Sequence, residues 1–131
     1  FQNPDNLVVT ARDWPDALDE ADFIVFTAPL NPNTKHMFNH ETLSKVKPGV
    51  RIVNVGRGPV IDETALIKGM AEGLINSVAL DVFEEELLPA GSPLRQYDQN
   101  IFGSHNGSNT SDAVRRVSLK AIDLISEYLK S

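Results

Sequence analysis

Short apolar runs alternate with amphipathic stretches across brief polar turns, and this alternation restricts the possible folds of the chain more than any other feature. Asp22-Phe-Ile-Val-Phe-Thr27 is apolar almost throughout, as expected of a strand covered on both faces. Leu7-Val-Val-Thr10 precedes it as a shorter run of the same kind. Val50-Arg-Ile-Val-Asn-Val55, Ser77-Val-Ala-Leu-Asp81 and Asn100-Ile-Phe-Gly-Ser104 follow. Between these runs the helix signals are local. Pro15 opens a short acidic helix over 16–20. Asn39 caps a helix over about 40–46. Asp62 caps another that stops at Gly73, and a last helix occupies about 110–130. In that last helix Val114, Val117, Ala121, Ile122, Ile125 and Leu129 form one apolar stripe, which predicts a packing partner.

Strands joined through helices imply βαβ crossovers, hence an α/β domain with a parallel sheet and helices on both faces. In such a sheet the carboxyl ends of the strands share one edge, and ligands bind in the crevice outside it. Arg57, Glu86 and His105 each fall just past a predicted strand, so the fold would bring a guanidinium, a carboxylate and an imidazole to one place. That set suits acid-base chemistry on an anionic carbonyl substrate.

Each of these residues also has a plainer role available. Arg57 sits between Gly56 and Gly58, where the backbone can bend sharply and approach a ligand, and its planar fork can grip a carboxylate at two points. A salt-bridged surface arginine is the alternative. His105 lies in the small-residue loop Gly103-Ser-His-Asn-Gly107 and is the natural proton carrier near neutral pH, although most loop histidines are simply solvated. Asp81 ends its strand, and an acid of the run Glu84-Glu-Glu86 can orient the imidazole. Spacing does not choose among the three glutamates, and such a run is often only a solvated face. His36 and His40 fall in a turn and at a helix start, where exposure or capping accounts for them. No metal site is expected, because no ligand pair has helical spacing with a third group nearby.

Composition removes other classes of function. The 131 residues are 41% hydrophobic and 23% charged, which is ordinary for one globular domain. A net charge of -6 with scattered Lys and Arg argues against a nucleic-acid surface. No apolar run reaches the roughly 18 residues needed to cross a bilayer. The absence of cysteine excludes disulfides and thiolate metal sites and fits a reducing compartment, with the cytoplasm expected. Gly56-Arg-Gly58 is not a dinucleotide fingerprint, and no G-x-G-x-x-G occurs. Since Phe1 is not an initiator Met, a partial domain lacking its phosphate loop is expected.

The segment 21–30, Asn31-Pro-Asn-Thr34, Lys47-Pro-Gly49, Asn54-Val-Gly-Arg-Gly58, Val60-Ile-Asp62, Leu80-Asp-Val-Phe-Glu-Glu-Glu86 and His105 together resemble the D-isomer-specific 2-hydroxyacid dehydrogenases. The likeness covers nearly the whole chain and corresponds to the later part of the family's NAD-binding domain. It implies a partial Rossmann-like dinucleotide-binding domain over 1–131, with NAD or NADP as cofactor and a small 2-keto or 2-hydroxy acid as substrate. A homodimer is expected for the full-length protein. The resemblance makes Arg57 the carboxylate anchor, His105 the proton donor to the keto oxygen, and Glu86 its partner. It places Ala28, Pro29 and Thr34 near the cofactor, Val55 and Gly56 along its backbone, and Asp81 at the nicotinamide amide. Arg57, His105 and Gly107 complete the cofactor-side set. Two departures stand out. Gly103-Ser104 replaces the usual Thr-Pro before the histidine, which could loosen the ring, and Leu87 replaces the proline usual after the paired acid. A dinucleotide-sensing protein, resembling corepressors on the same scaffold, is the alternative; retention of all three polar groups favours an enzyme.

Overall fold

A computed structural model describes residues 10–130. The elements are β1 (Phe23–Phe26), α1 (His40–Leu43), β2 (Val50–Asn54), α2 (Glu63–Ala71), β3 (Ile75–Leu80), β4 (Ile101–Phe102) and α3 (Ser111–Tyr128). The strands form one parallel sheet in the order β1-β2-β3-β4, with Val25 opposite Val53, Val53 opposite Ala79 and Ala79 opposite Ile101. The predicted α/β fold with a parallel sheet is therefore present.

Strand order explains where the core lies. Crossovers of the usual hand that always advance in the same direction all fall on one face of the sheet. Ile24, Phe26, Ile52, Val78 and Leu80 point to that face and join Leu43 of α1 and Ala65, Leu66 and Met70 of α2 in one cluster. Each of the larger side chains contributes roughly 1.5–3 kcal/mol through its removal from water. On the other face Phe23, Val25 and Ile101 are exposed, and Arg51 lies over the Phe23 ring. Among the described residues, then, helices cover one face of the sheet rather than two. The final helix does not supply the missing cover. It begins as expected, with Thr110 capping Ala113, but it has no buried residue, and Val114, Val117, Ile122, Ile125 and Leu129 are all exposed.

Local signals place most boundaries. Asn39 caps α1 in a capping box with Thr42, and Asp62 caps α2 by accepting from Thr64 N. The predicted helix over 40–46 keeps its α form only to Leu43. Ser44, Lys45 and Val46 continue with tighter bonds to the carbonyls three residues back. The helix expected over 16–20 is absent. That stretch is a series of turns in which Ala17 has φ of +60°, a value that interrupts a right-handed helix. Of the strand expected at 7–10, residues 7–9 lie outside the described residues and Thr10 has no regular structure. β3 starts earlier than predicted because Ile75 is buried opposite Val50. No helix among the described residues is long and apolar enough to cross a membrane.

Candidate active site

The carboxyl end of β2 builds the arginine turn. Asn54, the last strand residue, is buried; its Oδ1 accepts from Gly56 N at 3.1 Å and its Nδ2 donates to Arg57 O at 3.1 Å. Both ends of the amide are thus spent on closing the turn, which satisfies a polar group that would otherwise be costly to bury. Arg57 is exposed, donates to Gly56 O at 2.7 Å, and has no ion pair among the described residues. Its guanidinium retains donors for an incoming anion. The next glycine has a steric cause: a Cβ at Gly58 would lie 1.7 Å from Phe83 O. The arginine turn therefore packs directly against the loop that follows β3.

That loop divides the three glutamates. Glu86 Oε1 accepts from Phe83 N at 3.2 Å and lies 3.4 Å from His105 Nδ1. Both side chains are partly exposed, and the contact is of ion-pair length; catalytic contacts often tighten only when ligand binds. With Nδ1 facing the acid, Nε2 has no hydrogen-bond partner among the described residues. Glu84 turns the other way. His36 Nε2 donates to Glu84 Oε1 at 2.6 Å, Glu63 N donates to Glu84 Oε2 at 2.9 Å, and Glu84 N donates to Glu63 Oε1 at 2.7 Å. Burial, with the neighbouring acids adding, raises the Glu63 carboxyl above its ordinary range. His40 Nε2 contacts Thr64 Oγ1 at 2.9 Å, away from His105.

Asp81 lies under the histidine loop. Its carboxylate accepts from Asn106 N at 3.0 Å and from Gly107 N at 2.7 Å, and its carbonyl accepts from His105 N at 2.7 Å. The Gly107 bond is the main cause that holds this carboxyl below the usual range.

Two cavities meet at Val55 along this edge. One, of about 470 Å³, lies between residues 27–30 and 55–57 and includes Ala28, Pro29, Gly56 and Arg57. The other, of about 230 Å³, is floored by Val55, Ala79 and Ile101 and bordered by Asp81, Gly103 and Gly107. Gly56 allows the two strand-end loops to close, since a Cβ there would lie 2.8 Å from Ala28 O. The edge thus presents an apolar floor with a carboxylate at one rim and a guanidinium at the other, the few convergent polar groups expected of a small-molecule site. Thr34 stands one step back: its hydroxyl donates to Pro29 O at 2.6 Å and accepts from Asn31 N at 2.9 Å, so it shapes the loop that borders the crevice. A cavity of about 510 Å³ between residues 15–19 and 44–46 opens near the amino ends of the strands and holds none of these groups. Among the described residues no three His, Asp or Glu side chains converge as metal ligands.

Sequence reasoning gave Asn54 and His36 no role. A polar residue ending an apolar strand just before Gly-Arg-Gly is a usable signal for the first. The contact of His36 with Glu84 spans 48 positions and has no local signal.

Residues 2–107 match the family described as D-isomer specific 2-hydroxyacid dehydrogenase, NAD binding domain. The chain is similar to D-3-phosphoglycerate dehydrogenase 2, chloroplastic, of Arabidopsis thaliana, with 41% identity over 114 residues, covering 87% of this chain and 18% of that protein. It is also similar to glyoxylate/hydroxypyruvate reductase B of Yersinia pseudotuberculosis serotype O:3 (strain YPIII), with 42% identity over 106 residues, covering 81% and 32%. Among solved structures it resembles a D-isomer specific 2-hydroxyacid dehydrogenase from Xanthobacter autotrophicus Py2 in complex with NADPH and MES, with a TM-score of 0.65 and 42% identity over 67% of this chain and 28% of that one. It further resembles D-lactate dehydrogenase from Aquifex aeolicus complexed with NAD and lactic acid, with a TM-score of 0.75 and 28% identity over 86% and 38%. The chain thus spans between 18% and 32% of the length of these two curated relatives.

Proposed function

The chain belongs to the D-isomer specific 2-hydroxyacid dehydrogenase family through its NAD binding domain, and on that premise we propose that the whole protein interconverts small 2-keto acids and D-2-hydroxy acids by hydride transfer. The observation that carries this is the Glu86–His105 contact of 3.4 Å beside a crevice bordered by Arg57. When bound, NAD(H) or NADP(H) supplies or accepts the hydride. Arg57 grips the substrate carboxylate in a bidentate fork and polarises the keto oxygen. In the reductive direction, protonated His105 gives its Nε2 proton to that oxygen as the carbonyl becomes an alcohol. Glu86, at Nδ1, holds the ring in the donating orientation and offsets its charge. Ala28, Pro29, Val55, Gly56, Asp81 and Gly107 border the cofactor, and Thr34 acts through the Pro29 loop.

The relatives named for glyoxylate and hydroxypyruvate support short, unbranched acids as substrates. The protein works in the cytoplasm as a homodimer, and residues 1–131 form part of its NAD(P)-binding domain. By themselves these residues have negligible activity, because they hold no glycine-rich loop to anchor a pyrophosphate. The test is reduction of glyoxylate, hydroxypyruvate and pyruvate by the whole protein with NADH and with NADPH, beside the same assay on the 131-residue chain. Dinucleotide binding without turnover of any 2-keto acid would make the protein a sensor and overturn the proposal.

A further inference from the structure

We infer that Asp81 is a positioning residue for His105, clamping the loop that presents the imidazole, and that Gly103 provides the clearance the clamp requires. This rests on the role proposed above for His105. The backbone of His105 has φ of +59°, a left-handed conformation that side-chain-bearing residues seldom adopt unless neighbouring bonds enforce it. The enforcing bonds all lead to one residue. The N–H groups of His105, Asn106 and Gly107 donate to the Asp81 carbonyl, Oδ1 and Oδ2 at 2.7, 3.0 and 2.7 Å. Two of these are charge-assisted, the stronger class. The loop stem is fixed as well, because Gly103 N donates to Leu80 O at 2.8 Å.

Gly103 is the complementary half. A Cβ there would lie 2.2 Å from Asp81 Oδ1 and 3.1 Å from Asp81 Cα. Any larger residue would push the carboxylate off the loop. Gly103-Ser104 before the histidine contains no proline to stiffen the approach. Asp81 supplies that stiffness from below, and glycine is what allows it. Each carboxylate oxygen can accept a second hydrogen bond, so the clamp is compatible with a cofactor amide at the same residue.

The experiment uses the whole protein and the variants Asp81→Asn and Gly103→Ala, with three readouts: amide hydrogen exchange at Asn106 and Gly107 without cofactor, dinucleotide Kd, and kcat with KM for a 2-keto acid. Asparagine keeps the volume but offers one acceptor oxygen, so exchange at one or both amides should quicken at least about tenfold. At saturating dinucleotide, where any loss of affinity through the cofactor contact of Asp81 is compensated, kcat should fall about tenfold or more while KM for the keto acid moves less than about threefold. Gly103→Ala, which leaves the carboxylate chemistry intact, should reproduce the kcat loss, and the double variant should be little worse than the more damaged single. Unchanged amide exchange in both variants would overturn the clamp. So would Asp81→Asn with weakened Kd and wild-type kcat at saturation, which would leave Asp81 as a cofactor contact alone. If the wild-type protein reduces no keto acid, the functional proposal falls, yet the exchange measurement still decides the clamp.

Discussion

Glu63 and Glu84 exchange hydrogen bonds, the backbone N–H of each donating to the carboxylate of the other at 2.9 and 2.7 Å, and so tie the start of α2 to the loop that carries Glu86. The arrangement sets two acids side by side, and burial raises the Glu63 carboxyl. A carboxyl raised in the folded state is harder to ionise there than in the unfolded chain. Its stability contribution is therefore lost as pH rises from the ordinary value of 4.5 through the raised folded value. Glu63→Gln keeps an oxygen to accept from Glu84 N and removes the charge. We expect the variant to be more stable than wild type at neutral pH, with the gain vanishing as pH falls below the ordinary value of 4.5. Chemical denaturation at neutral pH and below that value reads this directly; a gain equal at both would show that charge is not the cause.

The Gly58–Phe83 contact makes a second prediction. A Cβ at Gly58 would lie 1.7 Å from Phe83 O and 2.7 Å from Glu84 N, both backbone atoms that cannot rotate aside. Gly58→Ala should destabilise the domain by about 1–3 kcal/mol or more and displace both the arginine turn and the acidic loop. Thermal melts measure the first effect. A melting temperature within a degree of wild type would mean that the two loops do not touch in this way.

Asn54→Leu retains bulk at a buried position while orphaning Gly56 N, and it leaves Arg57 O with only its bond from Val60 N. The expected cost is about 1–3 kcal/mol. Catalysis should suffer more than folding, because the turn presents Arg57. Equal activity after correction for the folded fraction would separate Asn54 from the site.

Arg57→Lys conserves charge and removes the planar fork, so kcat/KM for keto-acid reduction by the whole protein should drop by about two orders of magnitude or more. Dinucleotide affinity should change little. A lysine variant that works as well as wild type would mean that Arg57 does not anchor the carboxylate.

Glu86→Gln and His105→Ala should each lower kcat, the second more severely, and the double variant should be little worse than His105→Ala, because the two act as a unit. Glu85→Gln is the suitable control. Glu84→Gln is not, since its carboxylate already serves His36 and Glu63. Full additivity of the Glu86 and His105 losses would break the pair.

Much of the fold is legible along the chain, because its causes are local. An apolar run makes β1, and single residues with the right side-chain oxygen, Asn39, Asp62 and Thr110, start the three helices. The positions of Arg57, Glu86 and His105 past three strands follow from the parallel sheet once the strands are recognised. An acidic stretch after proline suits a helix start, but Trp14 bonds to Met37 O and the positive φ of Ala17 makes 14–20 a series of turns instead.

What the sequence alone determined is the order of elements and the residue types delivered to one edge, since both depend on side-chain periodicity and on neighbours a few positions apart. Spacing leaves 84, 85 and 86 equivalent and only the family resemblance singles out Glu86; the physical reason is tertiary, in what the folded loop brings near them: His36 and α2 for the first, His105 for the last. Tertiary structure alone decided that Gly58 and Gly103 are required. Their reasons are the Phe83 carbonyl and the Asp81 carboxylate, which lie 25 and 22 positions away and meet them only because parallel strands bring their following loops together. A contact of that range leaves no periodic trace in the sequence, since its energy depends on packing between segments rather than on the preference of either.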